Sequence, residues 1–296
     1  MKIGIIGFGE VGGILGRELA AKRAQVLAFD VSAAAMTRAG AMAAPNAAAV
    51  AKTADAVFVC VTAGSVLTAM RSLEGALANA PFVVDVNSVS PATKQESARI
   101  IEAAGGRYVE AAVMASVPPK KLQTPMLLGG PHVAAFIAAM APYGMDLTDY
   151  GAAIGRASSV KMCRSVMIKG IEALTTECML AARHYGVENE VLATLGETLP
   201  HPDWPALARY VISRSLIHGK RRAEEMTEVA RTVQDAGVEP SMSRAIVARQ
   251  DWAWRRGAEM DCTLPTLEPL LDALTATFTP QPAKANAAES RRTLRT

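Results

Sequence analysis

The chain changes hydrophobic rhythm near its middle. Up to about residue 152, short apolar runs alternate with Ala-rich amphipathic segments. The runs "KIGIIG" (2–7), "QVLAFD" (25–30), "AVFVCVT" (56–62), "FVVDVNS" (82–88), "RYVEAAV" (107–113) and "PMLLGG" (125–130) predict strands. Several are apolar almost throughout, as a strand covered on both faces of a parallel sheet requires. Segments 10–22, 64–79 and 91–104 predict helices between them, the last opening with Ser90 as cap and Pro91 in its first turn. That alternation is the βαβ rhythm of a doubly wound α/β sheet. Beyond it, only helical periodicity remains, over 156–185, 189–199, 204–236, 240–256 and 266–277. The breaks "YGVE", "LPHPDWP", "AGVEP" and "CTLP" each carry Gly or Pro. The pattern therefore predicts a sheet domain over 1–153, an all-α domain over 154–279 and a disordered tail over 280–296, which has one large apolar residue, Leu294.

Composition narrows the classes. At 296 residues, the chain has room for about two domains of ordinary size. The net charge of +3 is spread among mixed signs except in the tail "ESRRTLRT", so no nucleic-acid surface is implied. Cys60, Cys163, Cys178 and Cys262 show no close pair and no neighbouring histidine at ligand spacing, so neither a disulfide framework nor a metal site is expected. Cys60 lies in an apolar run and reads as the thiol of a reduced compartment. The glycine density of the N-terminus and Glu10 within it argue against a signal peptide. No stretch reaches the roughly 18–20 apolar residues of a membrane span, so a cytoplasmic protein is expected.

One turn carries specific chemistry. "GFGEVG" sets Gly7, Gly9 and Gly12 in a GxGxxG pattern directly after a strand and before a helix. Gly7 permits the tight turn, Gly9 lets the backbone approach a pyrophosphate, and Gly12 lets helix and strand pack closely, the Rossmann arrangement. The helix start, with Phe8, Glu10 and Val11 in the same turn, presents free N–H groups to the anion. Asp30, ending the second strand, stands where an acid hydrogen-bonds an adenosine ribose, which favours NAD. An arginine for the NADP phosphate is absent until Arg38, although NADP stays open. Val61 and Thr62, at the end of the third long apolar run, complete the expected cofactor contacts.

On the segment 156–185, Lys161, Ser165 and Lys169 recur every four residues and so share one helix face. Lys161 has uncharged neighbours (Ser158, Ser159, Val160, Met162, Cys163), unlike the mixed charges of a solvated stripe. It reads as an acid/base or as a snorkelling surface lysine. Lys169 is about 12 Å further along the axis, too far to share one hydroxyl with Lys161. It reads as a contact for a substrate carboxylate or phosphate, or as half of an ion pair, for example with Glu172. The cluster "HGKRRAEE" at 218–225 reads as a charged helix face or subunit contact, with Arg221 or Arg222 as a weaker substrate candidate. Trp252 and Trp254, two apart, cannot share a helix face; one is expected to pack and the other to line a cleft.

With these pieces in order, residues 1–278 resemble the β-hydroxyacid dehydrogenases, the family of 3-hydroxyisobutyrate and 6-phosphogluconate dehydrogenases. They look closest to a phosphogluconate dehydrogenase-like branch with a little-characterised helical domain. "GFGEVG", "DVNSVSP" (85–91) and "GRASSVKMCRS" (155–165) carry the likeness. The resemblance implies that Asn87 and Ser88 pass beside the nicotinamide and that Lys161 is the catalytic lysine. Gly155 stands in the expected lead-in, whereas Ala157 replaces a second glycine. Ser165 replaces a substrate-holding asparagine with shorter reach. Where the family carries Asp-Ala-Pro-Val-Ser-Gly-Gly, this chain reads "EAAVMAS", so Met114 stands in place of a carboxylate-gripping serine. Met114, Ala115 and Ser116 are then the substrate loop, Ser116 or the pair Lys120 and Lys121 could supply the missing contact, and a bulkier or more apolar substrate is implied.

The expected activity is NAD(P)-dependent hydride transfer between nicotinamide C4 and a β-hydroxyacid-type alcohol or its carbonyl, in a homodimer. Two other readings compete. An imine reductase of the same scaffold generally lacks a lysine at this position, which Lys161 argues against. A non-catalytic nucleotide sensor needs no buried lysine.

Overall fold

The computed structural model describes residues 1–37, 42–199, 201 and 203–278. The tail 280–296 and Arg38 lie outside the described residues.

Six apolar runs pair as strands in the order they were read: β1 (Lys2–Ile6), β2 (Gln25–Phe29), β4 (Ala56–Val59), β5 (Phe82–Asp85), β6 (Arg107–Val113) and β7 (Met126–Gly129). Two short strands, β3 (Met42–Ala43) and β8 (Leu147–Asp149), were not legible, because two or three residues form no period. Among the described residues the sheet runs β3-β2-β1-β4-β5-β6-β7-β8. The expectation of a wholly parallel sheet fails at one pair, β6 and β7, which run antiparallel. The connection between them holds only a one-turn helix and a 3-10 turn, too little to recross the sheet.

Alternation explains the burial. Phe58 faces one apolar layer with Ile3, Ile5 and Phe136, while Val57 and Val59 face the other with Met70, Leu73 and Ile101. Helices cover both layers: α1 (Glu10–Ala21), α2 (Ala33–Thr37), α3 (Ala47–Thr53), α4 (Val66–Arg71), α5 (Pro91–Ala103), α6 (Val117–Lys120) and α7 (Val133–Met140). The helix expected over 64–79 is shorter, a 3-10 turn at Ala63–Ser65 followed by α4, and the chain beyond it turns through Gly75 at φ +73°.

The rest of the described chain is helical: α8 (Arg156–Tyr185), α9 (Glu188–Thr198), α10 (Trp204–Asp235), α11 (Ser241–Gly257) and α12 (Leu267–Ala276). Asp203 caps α10 by accepting from the Ala206 N–H at 2.9 Å, with Pro205 in the first turn. Met162, Ala173, Met226, Val229 and Ile246 join α8, α10 and α11 in one apolar cluster.

Three of the side chains that tie the sheet to these helices bear directly on the site. Glu110 of β6, fully buried, accepts from the N–H groups of Gly155 at 2.7 Å and Ser158 at 2.6 Å. A carboxylate thereby caps the start of α8, where orphan N–H groups and the helix dipole favour a negative charge. Glu228 of α10 does the same for α5, accepting from the Ser90 N–H at 3.0 Å and the Thr93 hydroxyl at 2.9 Å. The third tie is Lys161, described next.

Candidate active site

The glycine turn behaves as its spacing requires. Gly7 adopts φ +88°, and a Cβ there would overlap the Cys60 carbonyl. A Cβ on Gly12 would overlap the Gly7 carbonyl, so α1 can start this close to β1 only without one. A Cβ on Gly9 would meet nothing within 4 Å. Open space therefore lies at the one glycine whose backbone should approach a phosphate, at the N-terminus of α1, and the residues present fit a dinucleotide there. Asp30 accepts from the Phe8 N–H at 2.6 Å and the Ser32 N–H at 2.7 Å, so it braces the turn from the tip of β2. Glu10 is exposed on the first turn of α1, and Val11 packs on the core.

Two adjacent loops follow β4 and β5. Asn87 joins them: its Oδ1 accepts from the Val61 N–H at 2.8 Å, and its Nδ2 donates to Asp85 Oδ1 at 2.7 Å. Asp85 is anchored in turn by Lys94 at 2.9 Å and by the Tyr108 hydroxyl at 2.9 Å, all three fully buried. Losing one partner of such a buried pair costs about 3–5 kcal/mol, so these contacts hold Asp85, and through it Asn87, in place. Burial, with Asp85 beside it, pushes the Tyr108 phenol well above its ordinary range and keeps it a donor. Burial likewise raises the Cys60 thiol, an inert group beside the same aspartate. The Thr62 and Ser65 hydroxyls lie 3.2 Å apart at the rim.

Opposite these loops stands α8. Lys161 Nζ reaches Ser88 Oγ at 2.5 Å, spanning from helix to loop. Burial pushes the Lys161 amine down from 10.5 to about 7; Glu225 opposes that shift, and Lys169, Lys94 and Arg221 reinforce it. A lysine in that state exchanges protons near neutrality, which a snorkelling lysine does not. One turn on, Ser165 Oγ accepts from Lys169 Nζ at 3.2 Å, and Lys169 pairs with Glu225 of α10 at 2.9 Å. The partner expected for Lys169, Glu172, is instead paired with Arg222 and 3.3 Å from Gln250. Glu225 also pairs with Arg221. Burial alone would raise Glu225, but Lys169, Arg221 and Lys161 outweigh it and hold the carboxyl down at about 2.

The loop of Met114, Ala115 and Ser116 runs alongside α8. The Met114 N–H donates to the Pro125 carbonyl at 2.9 Å, and the Met114 carbonyl accepts from Arg164 at 2.9 Å. Met114 is half-buried; Ala115 and Ser116 are exposed. Lys121, considered for a carboxylate contact, is paired with Glu18 at 2.7 Å and is therefore engaged with α1. His218 is driven down to about 4 by burial and by Arg214, Arg221 and Arg222, so it stays neutral. Neither tryptophan lines this cleft among the contacts seen. Trp252 packs on Phe278 and Arg249, and Trp254 lies against Gly219 and Lys220. Sequence reasoning missed the roles of Glu110, Glu225 and Glu228, because the partners that bring them to the site (Gly155, Lys169 and Ser90) lie 45 or more residues away in sequence. A cavity of about 530 Å³ opens at the other end of the sheet, among Met1, Lys2, Gln25, Asp55 and Arg107. It lies where the strands begin, and open α/β sheets take their ligands at the carboxyl ends.

A dinucleotide turn facing a half-buried amine across the carboxyl edge of the sheet defines a coenzyme-dependent class of protein. Comparison with known proteins narrows it. Residues 2–141 match the NAD binding domain of 6-phosphogluconate dehydrogenase, and residues 182–253 match a domain of unknown function (DUF1932). A conserved hypothetical protein from Sinorhizobium meliloti 1021 is 34% identical, with a TM-score of 0.70 over 93% of this chain and 96% of its own. A conserved protein of unknown function with structural similarity to 3-hydroxyacid dehydrogenases is 29% identical, with a TM-score of 0.66 over 87% of this chain and 99% of its own. The 2-(hydroxymethyl)glutarate dehydrogenase of Eubacterium barkeri is 27% identical over 202 residues, 65% of this chain and 67% of that protein. The chain belongs to the β-hydroxyacid dehydrogenase family, in the branch that joins this NAD-binding domain to that domain of unknown function.

Proposed function

We propose that the protein is an NAD(P)-dependent oxidoreductase that interconverts a β-hydroxyacid-type alcohol and its carbonyl, with Lys161 as the acid/base. The observation that carries this reading is the Lys161 amine, set 2.5 Å from Ser88 Oγ and lowered to about 7. When bound, the nicotinamide supplies the hydride acceptor or donor at C4. Its phosphates would lie at Gly7–Gly12, its ribose against Asp30, and its ring beside Val61, Thr62, Asn87 and Ser88. The choice between NAD and NADP follows Asp30, which favours NAD.

In oxidation, neutral Lys161 takes the hydroxyl proton as hydride leaves the same carbon; in reduction, the ammonium returns it. Ser88 orients the amine, and Ser165 with the Met114–Ser116 loop positions the substrate. Excluding water strengthens each of these contacts. The lysine at this position supports dehydrogenation over imine reduction or sensing.

The reading extends to assembly and location. Met167, Ile171 and Leu174 on α8 and Tyr210 and Ile217 on α10 leave large apolar side chains exposed, a face suited to burial in a homodimer. No described helix is long and apolar enough to cross a membrane, and the four cysteines are unpaired, which fits a reducing, cytoplasmic setting.

The test is nicotinamide absorbance with a panel of hydroxy acids and both coenzymes, run on the wild type and on Lys161→Met. Turnover should fall by about 10²- to 10⁴-fold in the variant, with coenzyme affinity by fluorescence unchanged. Undiminished activity in Lys161→Met removes the lysine from the mechanism.

A further inference from the structure

A hydroxy acid demands a grip for its carboxylate, and the position where the family places a carboxylate-gripping serine is Met114 here. Met114 offers none, and its carbonyl is occupied by Arg164. Across the same cleft, however, positive charge is in excess. Glu225 serves two cations at once, Lys169 at 2.9 Å and Arg221, and Lys161 lies in the same field. Lys169 and Glu225 are buried at 8% and 7% exposure, whereas half of the Arg221 side chain is open to solvent. Glu225 engages only part of its guanidinium, which has five N–H donors in a fork suited to a carboxylate. Arg222, next in sequence, is not available in this way, being buried against Glu172. His218, neutral at working pH, adds no charge.

We propose that Arg221 and Lys169, held by Glu225, bind the anionic end of the substrate, a carboxylate separated by a spacer from the hydroxyl that Lys161 deprotonates. The inference rests on the acid/base reading of Lys161 and assigns the substrate class within it. Lys169 folds back one turn to reach Ser165, which sets its ammonium about one helical pitch, roughly 5 Å, beyond the level of Lys161. A carboxylate directly beside the reacting carbon would fall short of it; a longer hydroxy acid or a dicarboxylate would reach. Glu225 keeps the two cations together without neutralising both, and the substrate supplies the second negative charge.

The experiment compares a homologous series of hydroxy acids of increasing chain length, each beside its methyl ester, on the wild type, Arg221→Met and Arg221→Lys. Wild-type kcat/KM should favour the longer acids over their esters by at least about tenfold. Arg221→Met should lose that preference through KM, and Arg221→Lys should recover part of it, while coenzyme affinity stays constant in both. An acid preference that survives in Arg221→Met, or none in the wild type, overturns the proposal. Should no member of the panel turn over, the dehydrogenase reading fails separately. The anion site is then read from thermal stabilisation by glutarate: a shift in the wild type that Arg221→Met lacks supports it, and equal shifts or none sink it.

Discussion

The two ends of the site are built from different materials. The coenzyme end is backbone: Gly7, Gly9 and Gly12 each matter for an atom they lack, and Asp30, at the tip of the next strand of the same βαβ unit, braces the Phe8 N–H. The lysine end is side chain: Lys161, Lys169, Glu225 and Ser88 come from α8, α10 and the loop after β5. Backbone sites are written locally, because a turn's geometry depends on its own few residues. Side-chain sites depend on how helices pack, and their chemistry on how much water that packing removes.

The contrast can be broken most severely at Gly12. Gly12→Ala should cost about 2–4 kcal/mol, since its Cβ overlaps a backbone carbonyl that cannot yield, and thermal unfolding would show it. A fully stable variant would mean that α1 starts differently. Glu110→Ala should cost a similar or slightly smaller amount, about 2–3 kcal/mol, by leaving the Gly155 and Ser158 N–H groups without their acceptor. Here the melting temperature and the rate should both fall, because Lys161 rides on the same helix.

Gly9→Ala sharpens the comparison in the other direction. Its Cβ meets nothing within 4 Å, so the melting temperature should hold while coenzyme affinity drops by about tenfold or more. Unchanged coenzyme binding would remove the phosphate from this turn. The smallest effect concerns pH. Oxidation needs neutral Lys161, so kcat/KM should rise through a limb near 7, whereas reduction needs the ammonium and should fall through the same limb. Glu225 raises the Lys161 pKa, so Glu225→Gln should move the limb below 7; a shift upward would contradict the charge arrangement.

Much of the architecture was legible along the chain. The six long strand runs and the boundaries of α8 and α10 follow from periodicity, glycine, proline and caps, all of which act over a few residues. The antiparallel entry of β7 was not, because pairing direction depends on the path of a connection and not on the apolar pattern of the strand. Lys161 stood out by its uncharged neighbours, but neighbours in sequence show only that a face lacks charge.

Lys169 marks the boundary between the two kinds of information. Helical spacing alone put Lys161, Ser165 and Lys169 on one face, and the glycine turn, set between its strand and its helix with Asp30 after the second strand, pointed to a dinucleotide. Which acid answered Lys169 was decided only by the packing of α10 against α8, which brought Glu225 to it and gave Glu172 to Arg222. The lowered basicity of Lys161 was decided there too, since desolvation and the field of distant charges arise only when segments far apart in sequence are brought together.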